Sequence, residues 1–557
     1  MTIKGSFLHI VSCFLLLVCL LTVTTLPAQV QLTITDEPVG TLDDRVFGHF
    51  FEKCNWSGES GADLAWDVKA NTFRSDVVDL MDSLKVTIVR FPGGTDVDAY
   101  FWTELIDNAP DRDSPQRPPY DGRNGVVVSN NELGLDEFLE LSEQLDFEPL
   151  LVTNLKLALF DSVSIMQGAE YAAALLAYCN GQLSDHLPPK YEQYVLLRMK
   201  NGRQAPYNVR YFQIGNELNW FDVDEGLRYN QSPLPADIEE NYVKTVTQYL
   251  QEMKRVDPGI ELILEGSTRG FAAPALQHFQ GQFSYLAHHI YHPWEMRAFY
   301  NAEGEEVALS QEELYYAWIA LPGINPSTGF SEIINTDFEY LKEAGVQVAI
   351  TEWNWNGWLA LKNNQVQEEQ LVESLHAKGL GAAGFLHAFM RASDHIKIAN
   401  QSMLVGNSWD INSIRIDDAT KEPELFPSGM VTGLYSRYHG NVVLKSELSN
   451  NQFYTQPYKV SGVLPAERVA LVDLIVTADD KQVYIHAINR HFDKKIALAI
   501  QFDAMDLGNS YTHHSISGDA SQRKSTLWGS AVGQLDAGQQ VTLLPQSVNV
   551  LVFDREK

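Results

Sequence analysis

The sequence predicts an α/β protein: a (β/α)8 TIM barrel followed by a C-terminal all-β sandwich of jelly-roll-like form. Three observations lead there. Eight short apolar runs rich in β-branched residues alternate with longer amphipathic segments between Arg45 and Leu404, which is the rhythm of parallel strands joined by crossover helices. Near Gly440 the rhythm changes to short alternating strands with no helical period. The chain also has 557 residues, more than the roughly 250–300 that one core ordinarily holds.

The expected barrel strands, in order, are Arg45–Glu52, Val86–Phe91, Glu148–Asn154, Val209–Gly215, Ile260–Gly266, Phe283–Tyr291, Val346–Glu352 and His395–Leu404. Helical patterns lie between them, among them Phe73–Leu84, Leu135–Leu145, Ala169–Cys179, Ile238–Val256, Ser331–Ala344 and Gln367–Arg391. An open doubly wound sheet has the same local rhythm. Its dinucleotide-binding version needs a glycine-rich phosphate loop after an early strand, and none is present. Ahead of the barrel, Gln29–Thr35 reads as an extended strand that pairs with the sandwich. Within the sandwich the clearest strands are Gln482–Asn489, Gln540–Pro545 and Val548–Phe553. The expected division is residues 1–28 as a signal peptide, 29–40 as the strand joining the sandwich, 41–439 as the barrel and 440–557 as the sandwich.

The leader has one base, Lys4, then a mostly apolar stretch from Ser6 to Leu26, then small residues for cleavage at Leu26-Pro27-Ala28. That pattern is a secretory signal and predicts a secreted or periplasmic protein. An uncleaved anchor is the alternative for an apolar run of this length. Only Cys54 and Cys179 would survive cleavage, so no disulfide framework supports the fold; one bridge and two buried thiols both remain open. Lys and Arg total 41 against 72 Asp and Glu, for a net charge of −31. Such a surface repels phosphate backbones and anionic membranes, which excludes nucleic-acid partners and membrane docking beyond the signal segment. His288, His289 and His292 cluster without an acidic partner at metal-ligand spacing, so no metal or other cofactor is expected.

Two expected strands close on a glutamate: Arg210-Tyr211-Phe212-Gln213-Ile214 runs into Gly215-Asn216-Glu217, and Val346-Gln347-Val348-Ala349-Ile350-Thr351 into Glu352. In such barrels the C-terminal strand ends form the active-site mouth. Two carboxylates facing each other there are what glycoside hydrolysis requires, one to protonate the leaving oxygen and one to attack the anomeric carbon. Either glutamate alone is more simply a solvated strand end. The pair, flanked by Trp220, Trp353, Trp355 and Trp358, offers both the acid–base chemistry and stacking faces for sugar rings.

From about Val30 to its C-terminus the chain resembles the glycoside hydrolase family 51 α-L-arabinofuranosidases, a family of retaining (β/α)8-barrel enzymes. The matching stretches, in order, are Phe47-Gly48-His49-Phe50-Phe51-Glu52, Val89-Arg90-Phe91-Pro92-Gly93-Gly94, Leu135-Asp136-Glu137-Phe138, Tyr178-Cys179-Asn180-Gly181, Pro206-Tyr207-Asn208-Val209, Gly215-Asn216-Glu217, His289-Ile290-Tyr291, Thr351-Glu352-Trp353-Asn354 and Ile398-Ala399-Asn400. The resemblance implies that Glu217 is the general acid/base and Glu352 the nucleophile. It implies that Glu52 and Asn216 bind sugar hydroxyls, that Arg90 braces the site, that His289 stands behind it, that Tyr291 orients the nucleophile and that Trp355 lines the pocket. It implies no cofactor, a carbohydrate substrate and a homo-oligomeric assembly. Thr95 stands where the family commonly has Asn or Cys, and Met403 where it has Gln, both at positions that touch the sugar. A thioether does not replace an amide's hydrogen bonds, so a shifted sugar specificity is expected. An endo-β-glycanase of the same clan is the alternative within enzymes, and a non-catalytic carbohydrate-binding protein the alternative outside them.

Overall fold

The computed structural model describes residues 29–556, apart from 54–59, 95–96, 98–100, 111, 122–126, 130, 185–186, 219–220, 223–226, 229–236, 267–268, 321–340, 361–370, 409, 461–463 and 536–539. The leader, Cys54, Thr95, Trp220 and most of the helix expected at Ser331–Ala344 lie outside the described residues.

Strand β1 (Val30–Thr41) precedes a closed barrel of eight strands: β2 (Gly48–Phe50), β3 (Ile88–Phe91), β4 (Glu148–Thr153), β5 (Tyr211–Ile214), β6 (Glu261–Glu265), β7 (Tyr285–Tyr291), β8 (Gln347–Asn354) and β9 (Ile396–Gln401). Every strand pairs in parallel with its chain neighbour, and β9 closes on β2 through Asn400 opposite Gly48. The first expected strand is shorter than its apolar run. Asp43 accepts from the Arg45 amide and caps a 3-10 turn over Asp44–Phe47, which uses up the start of the run.

Inward-facing Ile88, Leu150, Val152, Tyr211, Ile263, Tyr285, Ala287, Ala349 and Ile398 pack together and fill the barrel floor. Two residues further along the same strands come Arg90, Gln213, Glu265 and His289. The period of two that packs the floor therefore carries polar groups to the mouth.

Helices α1 (Ser75–Leu84), α2 (Leu135–Leu145), α3 (Ile165–Asn180), α4 (Ile238–Val256), α5 (Leu375–Arg391) and α6 (Pro427–Arg437) belong to the outer layer. α5 starts later than its apolar pattern, at a cap where the Ser374 hydroxyl accepts from the Ala377 amide. Its residues from Leu375 to Met390 are all buried, because it lies between the barrel wall and the C-terminal sheet and has no solvent face. Among the described residues no helix is long and apolar enough to cross a membrane.

The C-terminal strands are β10 (Val442–Ser449), β11 (Val472–Ala478), β12 (Gln482–Asn489), β13 (Ile496–Asp503), β14 (Leu507–Ser517), β15 (Leu527–Gln534), β16 (Gln540–Leu543) and β17 (Ser547–Arg555). With β1 they form one nine-stranded sheet in the order β15-β14-β17-β12-β11-β10-β1-β13-β16. The sheet curls over its own apolar face. Phe502 on β13 meets Phe553 of β17 edge-on at 5.1 Å although four strands separate them in the sheet, and the residues of both ends share one core. β1 lies between antiparallel β10 and parallel β13.

At the seam with α5, Asp473 on β11 is buried against Arg391, Arg490 and His387. Cys179 is a buried free thiol whose burial pushes its pKa up.

Candidate active site

Arg90 is fully buried at the end of β3 and organises the mouth. Its Nε donates to Gln213 Oε1 at 2.9 Å, one Nη to Glu352 Oε1 at 2.8 Å and the other to Asn216 Oδ1 at 2.7 Å. The guanidinium also lies 4.8 Å over the Phe50 ring. The loop after β3 passes so close that side chains are excluded. A Cβ on Gly94 would stand 2.5 Å from Glu352 Oε1, and one on Gly93 3.3 Å from the Glu52 side chain. The Gly94 amide donates to Glu52 Oε1 at 3.2 Å.

Glu352 reaches the interior through an irregularity in β8. Ala349 faces the barrel floor, so strict alternation would turn Glu352 outward. Between His288 and His289 the pairing with β8 slips from Ile350 to Glu352, a bulge at Thr351 that re-aims the strand. Thr351 and Glu352 both then face inward. Thr351 Oγ1 lies 3.0 Å from His289 Nε2, and Tyr291 donates to Glu352 Oε2 at 2.9 Å. The Ser402 hydroxyl lies 2.6 Å from the Tyr291 oxygen, whose own proton is committed to Glu352.

Glu217 ends a tight turn after β5. Gly215 has φ +83° and Glu217 φ +40°, the second in a region that a side chain occupies only under constraint. Three contacts supply that constraint. Gln213 donates to the Gly215 carbonyl at 2.9 Å, Arg90 holds Asn216, and the Glu217 amide donates to Glu265 Oε2 at 3.1 Å. Asn216 is fully buried and its Nδ2 has no acceptor among the described residues, so its two N–H donors remain for ligand oxygens.

His289 Nδ1 lies 2.9 Å from Glu217 Oε1 and 3.7 Å from Glu352 Oε2. Burial pushes the Glu217 carboxyl up. The hydrogen bond and charge of His289, with Lys156 and Arg90 beyond, outweigh burial and hold it below the usual range. Burial pushes His289 down, but Glu352 and Glu217 outweigh it and leave the imidazole raised. Each of the two thus favours the charged form of the other. One oxygen of each glutamate and a His289 ring nitrogen lie within 4.8 Å of one another. That spacing also suits a metal ion. The donor chemistry fits one poorly, since Arg90 already faces Glu352 and a histidine with a raised pKa is a weak ligand at neutral pH.

Of the residues singled out in the sequence, Glu52, Arg90, Asn216, Glu217, His289, Tyr291 and Glu352 meet at this mouth. Met403 is buried beside Ser402. Trp355 requires a correction. It is fully buried outside the barrel wall, 5.8 Å edge-on to Phe385 of α5, where a Cβ on Gly381 would sit 2.3 Å from its ring. The bulge that turns Glu352 inward leaves Trp353 and Trp355 pointing at the helix layer. Sequence reasoning passes over Gln213, Glu265, Thr351 and Ser402. Glu265 carries the signal used for Glu217 and Glu352, a glutamate closing an apolar strand. The others are legible only once the strands are placed.

Residues 80–304 match the family model described as the α-L-arabinofuranosidase 1 domain, and residues 352–533 the model described as the α-L-arabinofuranosidase C-terminal domain. An intracellular exo-α-(1→5)-L-arabinofuranosidase of Acetivibrio thermocellus is 24% identical over 83% of this chain and 85% of its own length. α-L-arabinofuranosidase C of Emericella nidulans is 32% identical over 42% of this chain, and the match spans 40% of that relative. The structure of the Thermotoga maritima α-L-arabinofuranosidase with arabinose shares the fold, at a TM-score of 0.68 and 19% identity over 94% of this chain and all of that one. The family 51 enzyme of Xanthomonas axonopodis pv. citri does so at 0.68 and 19% over 94% and 99%.

Proposed function

We propose, for a chain that belongs to the family 51 α-L-arabinofuranosidase-like glycoside hydrolases, a two-step retaining hydrolysis of terminal α-L-arabinofuranosyl residues with Glu352 as nucleophile and Glu217 as acid/base. The observation that carries this reading is the approach of the two carboxylates to within 4.8 Å. A retaining pair stands about 5–5.5 Å apart, whereas an inverting pair leaves about 6.5–9.5 Å for a water.

In the first step the proton crosses from His289 to Glu217, and Glu217 gives it to the leaving oxygen as that bond breaks. Glu352, aimed by Arg90 and Tyr291, bonds to the anomeric carbon. Esterified Glu352 has lost its charge, and with it the strongest attraction that raises His289. In the second step Glu217 takes a proton from water, water oxygen bonds to the anomeric carbon and Glu352 leaves as a carboxylate. The open Nδ2 of Asn216 donates to the hydroxyl next to the anomeric carbon, and Glu52 accepts from another.

The leader before Gln29 supports export of the enzyme, in contrast to the Acetivibrio relative, which is named as intracellular. N-terminal sequencing of protein from the periplasm or medium tests this, and a chain still beginning at Met1 would refute it. Proton NMR of an aryl α-L-arabinofuranoside during hydrolysis tests the mechanism. The first-formed sugar should be the α anomer, and first formation of the β anomer would overturn the assignment.

A further inference from the structure

We infer that Trp294 and Trp358 form the binding step for the sugar ring on the leaving-group side of the bond, so that the favoured substrates are oligosaccharides rather than simple glycosides. The inference rests on the retaining reading above. Past their last barrel residues the β7 and β8 loops are zipped together. Glu295–Met296 pairs in parallel with Trp358–Leu359. The Gly357 amide donates to the Pro293 carbonyl at 2.7 Å and the Ala360 amide to that of Met296 at 3.0 Å. Gly357 has φ +57°, and a Cβ there would lie 2.0 Å from Trp318 Nε1, so the corner is locked against the core.

This rigid pair presents two indoles in series from the nucleophile. Tyr291, which touches Glu352, lies 5.7 Å edge-on to Trp294, and Trp294 lies 4.9 Å edge-on to Trp358. Trp294 is 38% exposed, while Arg90 and Asn216 are fully buried and Glu352 nearly so. The ring being attacked must reach the buried groups. The exposed indole is therefore within reach of the ring beyond the scissile oxygen. An indole face takes the C–H side of a sugar without demanding a hydroxyl pattern, and its rigid mounting removes the ordering cost of binding.

The test compares Trp294→Ala and Trp294→Leu with the unaltered enzyme on α-1,5-arabinobiose and on methyl α-L-arabinofuranoside, whose leaving group has no ring. The expected result is a KM for the biose raised about tenfold in both variants, with kcat/KM for the methyl glycoside held within about twofold. The leucine variant keeps the apolar volume if alanine disturbs folding, and Trp294→Phe should recover most of the loss. Equal losses on both substrates, or no change on the biose, would overturn the inference. Silence of the unaltered enzyme on both substrates would instead bring down the underlying assignment, and this subsite with it.

Discussion

Two buried histidines in this molecule lie beside carboxylates, and their basicities move in opposite directions. At the mouth, burial lowers His289, but Glu352 and Glu217 face it and outweigh both burial and the Arg90 cation, so it is raised. At the seam between α5 and the sheet, His387 stands 3.4 Å from Asp473, yet it is lowered. Burial is the first cause there, and Arg391 and Arg490 already satisfy the aspartate. Asp473 itself is held well below the usual range: burial raises it, and Arg391, His387 and Arg490 outweigh burial. The local count of charges, more than burial, decides the sign. Excess cation makes a permanent anion and a neutral histidine, which is a structural joint. Excess anion raises a buried histidine, which suits the proton exchange with Glu217 that the proposed mechanism needs.

The sharpest way to break this contrast is to remove an anion at each place. Glu352→Gln should lower kcat on an aryl α-L-arabinofuranoside by about 10⁴-fold or more while ligand binding persists in calorimetry; turnover near the unaltered rate would refute its role. Asp473→Ala leaves two arginines facing each other and should cost about 3–5 kcal/mol of stability in urea unfolding, with activity per folded molecule unchanged. Its pH signature has a definite sign. The native pKa is depressed, so the stabilisation is complete above the unfolded aspartate value of about 3.9 and is lost as pH falls below it. The difference in stability between parent and variant should therefore shrink in acid.

His289→Gln should lower kcat/KM by about 10²-fold. The proton on His289 is held until pH passes the raised His289 value, so the parent's alkaline limb should lie above 6.5, the ordinary imidazole value. In the variant Glu217 holds the proton alone, and the limb should move to lower pH. His387→Gln should leave that limb in place, and an equal displacement in both variants would dissolve the comparison. The smallest effect is expected at Glu265. Glu265→Leu removes the acceptor for the strained Glu217 amide and should cost about tenfold on substrates with poor leaving groups, with Glu265→Gln close to the parent because an amide oxygen still accepts.

The fold was largely legible because its signal is periodic. Seven of the eight barrel strands lie within the apolar runs that predict them, β8 runs on past Glu352 to Asn354, and Leu135–Leu145, Ile238–Val256 and Gln482–Asn489 run between the expected residues. The misses came from local chemistry that overrides period: the Asp43 cap that turns the start of the first run into a 3-10 turn, and the Ser374 cap that delays α5. In the site, glutamates closing apolar strands were visible as residue types, but the direction each side chain takes was not. The bulge at Thr351 leaves no mark in composition, yet it turns Glu352 inward and Trp355 away from the pocket. The raised basicity of His289 is equally invisible in the sequence, since it arises from groups that different strands bring together.

Strand β1 also sets the order in which the molecule is completed. Val30 lies beside Leu498, and Gln31 opposite Ser449, so the earliest strand among the described residues is an interior strand of a sheet whose other strands all follow the barrel. Until most of the chain has emerged, its amides and apolar face have no partner. The sheet therefore closes late, through contacts of very long sequence separation, and such closure is slow and exposes an unpaired edge. A barrel fragment made without the C-terminal region would keep that strand sticky. Separately made halves should assemble only when β1 travels with the C-terminal half.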